Sequence, residues 1–158
     1  MDTNMKDSAT SEPMHVLLVG NNPIELSVVL KKLQEVRGFK IVTEIAFDVR
    51  SIAERLIRFN PNFILIDDNL GKTELKETIN TLSSNSKTKD IPITVLKNSN
   101  YHESLMANSI LDYLLKQNLS ADAIYNTLKN SLRFKRTQLY LYQVYQKRKD
   151  FILKLSHG

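Results

Sequence analysis

The sequence contains no cysteine, which excludes disulfides, thiolate nucleophiles and cysteine-ligated zinc. Its three histidines, His15, His102 and His157, stand too far apart to form a local metal-ligand spacing. Only four glycines occur, and no glycine-rich phosphate-cradling loop is among them. No apolar run approaches the roughly 20 residues needed to cross a bilayer. The N-terminal MDTNMKDSATSEP is polar, with no hydrophobic stretch after its basic residue. Membrane insertion and secretion are therefore not expected, and the lack of cysteine suits a cytoplasmic setting.

What is present is a chain of 158 residues, 42% hydrophobic and 25% charged, which is the size and apolar content of one domain with a full core. The net charge of +5 resembles a nucleic-acid signal until it is divided along the chain. Residues 129–158 hold 8 basic side chains and one acidic one, leaving 14 basic and 16 acidic in residues 1–128. The excess basicity belongs to the tail alone. No helix-turn-helix pair, zinc spacing or RNA-binding aromatic signature accompanies it, so nucleic acid is not the expected partner.

Met14 to Val19 is a nearly continuous apolar run ending in Gly-Asn-Asn-Pro, which reads as a buried strand and a turn. Leu26, Val29, Leu30, Leu33 and Val36 then keep the spacing of one buried helical face, with Gly38 placed to end the helix. Lys40 to Ala46 is a β-branched strand. Asp48 caps a helix carrying Ile52 and Leu56, stopped by Asn60-Pro61. Phe63 to Ile66 is a second buried strand, closed by Asp67-Asp68. Leu75, Ile79 and Leu82 mark a short helix, and Ile91 to Leu96 is another strand. The helical pattern is weak from Tyr101 to Ser109. Ile110 to Leu115 closes the strand series, and Ser120 caps a helix with Ala121, Ile124, Leu128 and Leu132 inward. Strands that are apolar on both faces and alternate with helices predict an α/β fold, a doubly wound five-stranded parallel sheet of flavodoxin type. Its functional crevice is expected at the carboxyl ends of the strands.

Four segments in order, VLLVGNNP, PNFILIDDNL, DIPITVLKN and LDYLLKQ, resemble the receiver domains of two-component response regulators over residues 14–132. The resemblance implies that Asp67 is the phosphoryl acceptor, that Lys116 contacts the phosphoryl oxygens, and that Tyr113 is the aromatic that turns between outward and inward positions. It also exposes departures. Gly20 and Asn21 stand where the family has a magnesium-binding acidic pair, and Lys97 stands where it has a serine or threonine. An asparagine carbonyl is a weaker magnesium ligand than a carboxylate, so Mg2+ held by Asn21 and Asp67 is expected to bind weakly. Lys97 and Lys116 together are expected near Asp67, either helping a phosphoryl group bind or neutralising the bare carboxylate.

From Ser120 to Ser156 there is no proline or glycine, so the last helix is expected to run past the domain. Leu128, Leu132, Leu139 and Tyr142 approximate one seam, while Leu141, Tyr145, Ile152 and Leu155 favour another. So apolar a helix requires cover from the domain, from a second copy or from a further domain. Its end, KRKDFILKLSHG, resembles the start of the phosphoacceptor box of sensor histidine kinases, which implies His157 as a phosphoacceptor. Gly158 departs from that pattern, and no nucleotide-binding segment follows. The match marks either a cut from a longer hybrid receiver-kinase or a chance amphipathic helix closed by a glycine.

The expected organisation is a disordered tail over 1–13, a receiver-like domain over 14–132 and a basic helical extension over 133–158. The expected function is a phosphorelay module without turnover of its own, partnered by a histidine kinase or phosphotransfer protein and self-associating through the C-terminal helix. The alternative is a phosphorylation-independent pseudo-receiver. A flavodoxin-type small-molecule binder shares the architecture but lacks the glycine loop.

Overall fold

The computed structural model describes residues 12–98 and 110–157. The strands are β1 (Met14–Val19), β2 (Ile41–Ala46), β3 (Phe63–Asp67), β4 (Ile93–Lys97) and β5 (Ile110–Leu115). The helices are α1 (Pro23–Gln34), α2 (Val49–Leu56), α3 (Lys72–Ser84) and α4 (Ala121–His157), with single 3-10 turns at Asp68–Leu70 and Lys116–Asn118. The five strands form one parallel sheet in the order β2-β1-β3-β4-β5. The chain therefore reverses its winding between β1 and β3, which opens a crevice at their carboxyl ends.

Strand alternation divides the core in two. Val16, Leu18, Phe63, Leu65 and Leu96 pack with Leu26, Val29 and Leu33 of α1 and with Ile124 and Leu128 of α4. Leu17, Val19, Ile64, Ile66 and Val95 pack on the other face with Ile52 and Leu56 of α2 and Leu75, Ile79 and Leu82 of α3. Both faces of β3 are buried, which explains its unbroken apolar run.

Local chemistry sets the element ends. Asn22 caps α1, its Oδ1 accepting from the N–H groups of Ile24 and Glu25 at 3.1 and 3.2 Å, and Pro23 fills the first turn where no N–H is needed. Asp48 and Ser51 form a reciprocal capping box on α2. The helix α3 starts at Lys72 and spans 13 residues, longer than its apolar pattern indicates. Gly38 does not end α1, which stops four residues earlier. Instead Gly38 has φ +98°, and a Cβ there would lie 2.8 Å from the Tyr125 ring, so glycine serves a close approach between the α1–β2 loop and α4.

Helix α4 is continuous for 37 residues, about 55 Å at 1.5 Å per residue. Its buried positions, Ile124, Thr127, Leu128 and Ser131, all fall in the first third. Among the described residues no helix is long and apolar enough to cross a membrane. The predicted tail up to Ser11 and the weak pattern over Tyr101–Ser109 lie outside the described residues.

Candidate functional site

The strand registers bring the predicted positions to one rim. Val19 pairs with Ile66, Asp67 with Leu96, and Lys97 with Leu115. Gly20 follows β1, Asp67 and Lys97 end β3 and β4, and Lys116 follows β5.

Asp67 is 1% exposed. Its Oδ1 accepts a hydrogen bond from the Lys116 ammonium and another, 2.9 Å long, from the Asn69 N–H. Its Oδ2 is buried with no hydrogen-bond partner among the described residues. Lys116 Nζ also donates to Glu25 Oε2 at 2.7 Å and lies 3.7 Å from Asp68 Oδ1. One ammonium thus joins three carboxylates, from α1, from the end of β3 and from the turn after it. A polar ring continues outward. Asn69 Nδ2 donates to Glu25, Asn98 Nδ2 donates to Asn69 Oδ1 at 2.7 Å, and the Asn98 N–H donates to Asp68 Oδ2 at 3.2 Å.

Burial raises the Asp67 carboxyl above its ordinary value. That outweighs the hydrogen bond and charge of Lys116 and the Asn69 N–H, which favour the anion, and the Glu25 charge adds to the rise. Burial alone would lower Lys116, but its bonds to Asp67 and Glu25 and their charges prevail, leaving the ammonium above its ordinary value. Lys116 therefore stays charged throughout the physiological range.

Lys97 is placed otherwise than expected. Asp67 shares the sheet face of Leu65, whereas Lys97 shares that of Val95, and successive residues of a strand point to opposite faces. The Lys97 ammonium lies over the Tyr113 ring, 4.1 Å from its centroid. A register shift between Ile93 and Thr94 sets Tyr113 opposite Val95, one diagonal step from Lys97. Tyr113 is half-buried, packs on the α2/α3 side of the core and has its phenol pKa raised by burial.

Asn21 is exposed in the bend after β1. A Cβ on Gly20 would lie 2.7 Å from Leu26 Cδ2 and 3.1 Å from Asp67 Cβ, so the position is packed shut against a larger side chain. Among the described residues no group of three or more metal-ligating side chains is arranged to hold an ion. Glu25, Asp67 and Asp68 converge on an ammonium instead. His157 is the last residue of α4, and its side chain lies outside those described.

Glu25 and Asn69 escaped the sequence reading. Their signals are weak but physical: an acidic residue in the first turn of a capped helix beside the crevice, and an amide two residues after a strand-ending aspartate.

An acidic residue at the end of β3, bridged to a lysine from the end of β5 in a sheet of order 2-1-3-4-5, fixes the architecture. The chain has the fold of receiver domains. It resembles the magnesium-bound receiver domain of the sensor histidine kinase PA1611 from Pseudomonas aeruginosa, with TM-score 0.63 and 17% identity over 76% of this chain and 98% of that one. It resembles the chemotaxis response regulator CheY4 of Vibrio cholerae, with TM-score 0.61 and 20% identity over 76% and 99%. A fusion carrying the yeast Spc42 trimeric coiled coil matches with TM-score 0.64 and 15% identity, covering 94% of this chain and 98% of that one. No family model and no curated protein matches the sequence.

Proposed function

We propose that the chain is a receiver-like signalling module of a two-component phosphorelay, with Asp67 as a weak phosphoryl acceptor and without turnover of its own. The observation that carries this reading is the bridge from Lys116 to a buried Asp67 at the crevice of a receiver fold. The partner is a histidine kinase or phosphotransfer protein. In the transfer, an Asp67 oxygen forms the new O–P bond as the donor's N–P bond breaks, and Lys116 neutralises the phosphoryl oxygens.

Two features make the acceptor weak. Asp67 is 1% exposed, so a donor reaches it only after the polar ring of Glu25, Asn69 and Asn98 opens. The donor set also fits a divalent ion poorly. Asp67 and Asp68 are the oxygens that Mg2+ would use, but Lys116 already occupies that charge, and Gly20 and Asn21 add no carboxylate. Magnesium, when bound, supplies charge neutralisation at the phosphoryl oxygens.

The same closure favours a second reading, a pseudo-receiver held in one state by Lys116, whose partners bind irrespective of phosphate. Self-association through α4 belongs to either reading. It is supported by the apolar residues left exposed beyond Ser131 and by the coiled-coil fusion, whose likeness reaches along the helix.

Incubation with acetyl phosphate and Mg2+, followed by intact-mass measurement, separates the two. A phosphoryl adduct on a minority of molecules, absent from Asp67→Asn, supports the phosphorelay module. No adduct, with partner binding unchanged in Asp67→Asn, supports the pseudo-receiver.

A further inference from the structure

The distal half of α4 carries apolar residues that extend beyond one edge of the face by which its first third docks on the sheet. Ile124, Thr127, Leu128 and Ser131 define the docked face. At 100° per residue that face continues through Lys135, Gln138, Tyr142, Lys149 and Leu153, a mixture of polar and apolar residues. The stripe of Phe134, Leu141, Tyr145, Phe151, Ile152 and Leu155 begins at the Thr127 edge of that face and spreads roughly 120° beyond it around the helix axis. Its members are 48–65% exposed. The helix is unbroken beyond Ser131, with no proline or glycine to turn it back, and the described residues of the domain leave this stripe uncovered.

We infer that this stripe is the seam of a parallel, in-register coiled coil with a second copy of the chain. This rests on the self-association described above and adds its seam and direction. The heptad follows from the spacing. Phe134, Leu141, Arg148 and Leu155 occupy a positions, and Thr137, Val144 and Phe151 occupy d positions. Tyr145 and Ile152 at e widen the stripe beyond a strict two-residue seam. Six large apolar side chains at about 100 Å² each cover on the order of 600 Å² per copy, close to the roughly 800 Å² of a standard interface.

The flanking charges favour the parallel direction. The g positions are Arg133, Tyr140, Lys147 and Lys154, and the e positions are Gln138, Tyr145 and Ile152. A parallel pair sets g against e, so each lysine stem lies along an uncharged residue. An antiparallel pair sets g against g and brings the basic residues of the two copies together. Arg148, at a single a position, meets the second copy's Arg148 in register, a cost in stability that its long stem lessens by carrying the charge to the edge of the seam.

The absence of native cysteine makes the test direct. Sedimentation of the full chain is expected to give the mass of two copies. The double variant Leu141→Asp/Phe151→Asp is expected to weaken association at least 100-fold while leaving the circular dichroism of the domain intact. Thr137→Cys, at d, is expected to cross-link between copies under mild oxidation. Lys149→Cys, on the outer side, is expected not to. A one-copy mass overturns self-association itself, and an oligomer that survives the double variant overturns the seam. An oligomer that cross-links through Lys149→Cys and not through Thr137→Cys overturns only the seam and its direction. The phosphoryl adduct at Asp67, measured on the same samples, tests the receiver reading separately.

Discussion

Replacing Lys116 with methionine keeps the length and apolar stem of the side chain and removes its charge. The variant leaves Asp67 buried with an uncompensated carboxylate, and Asp68, whose side chain is 4% exposed, loses the same ion pair. Breaking a buried pair in this way typically costs about 3–5 kcal/mol. Glu25 is 37% exposed and solvent screens its share, so the lower end, about 3 kcal/mol at pH 7, is expected. For a domain of this size that lowers the melting midpoint by roughly 6–12 °C. The loss carries a pH signature. Burial already raises Asp67 above its ordinary value, and removing the ammonium raises it further. With a raised folded pKa, the native state holds a proton that the unfolded chain has released. The resulting stabilisation is fully present below the ordinary carboxylate pKa and is lost as pH rises through the folded value. The deficit of the variant relative to the parent should therefore shrink to about 1 kcal/mol or less by pH 4. Urea unfolding followed by circular dichroism at pH 7 and pH 4, with Lys116→Arg as the charge-retaining control, measures both numbers. A deficit below about 1 kcal/mol at pH 7, or one of equal size at both pH values, refutes the reasoning.

The same variant tests the view that Lys116 takes up the charge that a metal would carry. Calorimetric titration should show Mg2+ bound at least about tenfold more tightly by Lys116→Met than by the parent chain, and equal affinities would count against that view. Gly20→Ala should cost about 1–2 kcal/mol in urea unfolding, because its methyl group meets the buried Leu26 at 2.7 Å in a close-packed core. A neutral result would mean that Leu26 moves aside freely.

Much of the frame was legible in the residues. Continuous apolar runs such as FILID can only be strands buried on both faces, and a chain that alternates them with amphipathic helices has few ways to fold. The strand ends followed from the same runs, which is why Asp67 and Lys116 could be named together. Lys97 was named too, but its side of the sheet depends on one residue of register, which a run buried on both faces does not reveal. The shift between Ile93 and Thr94 leaves no mark in composition, although it sets Tyr113 beneath the Lys97 ammonium. Glu25 is one first-turn acid among many until the α1 cap and the crossover from β1 deliver it to Lys116.

The amino-acid order by itself determined the strands, the helices, the rim on which the charged groups gather and the uninterrupted final helix, because these depend on local periodicity and on what can be buried. The tertiary structure alone decided that one ammonium serves three carboxylates and that Lys97 stands over a tyrosine. Those outcomes depend on distances between residues far apart in the chain, and only the packed sheet sets them.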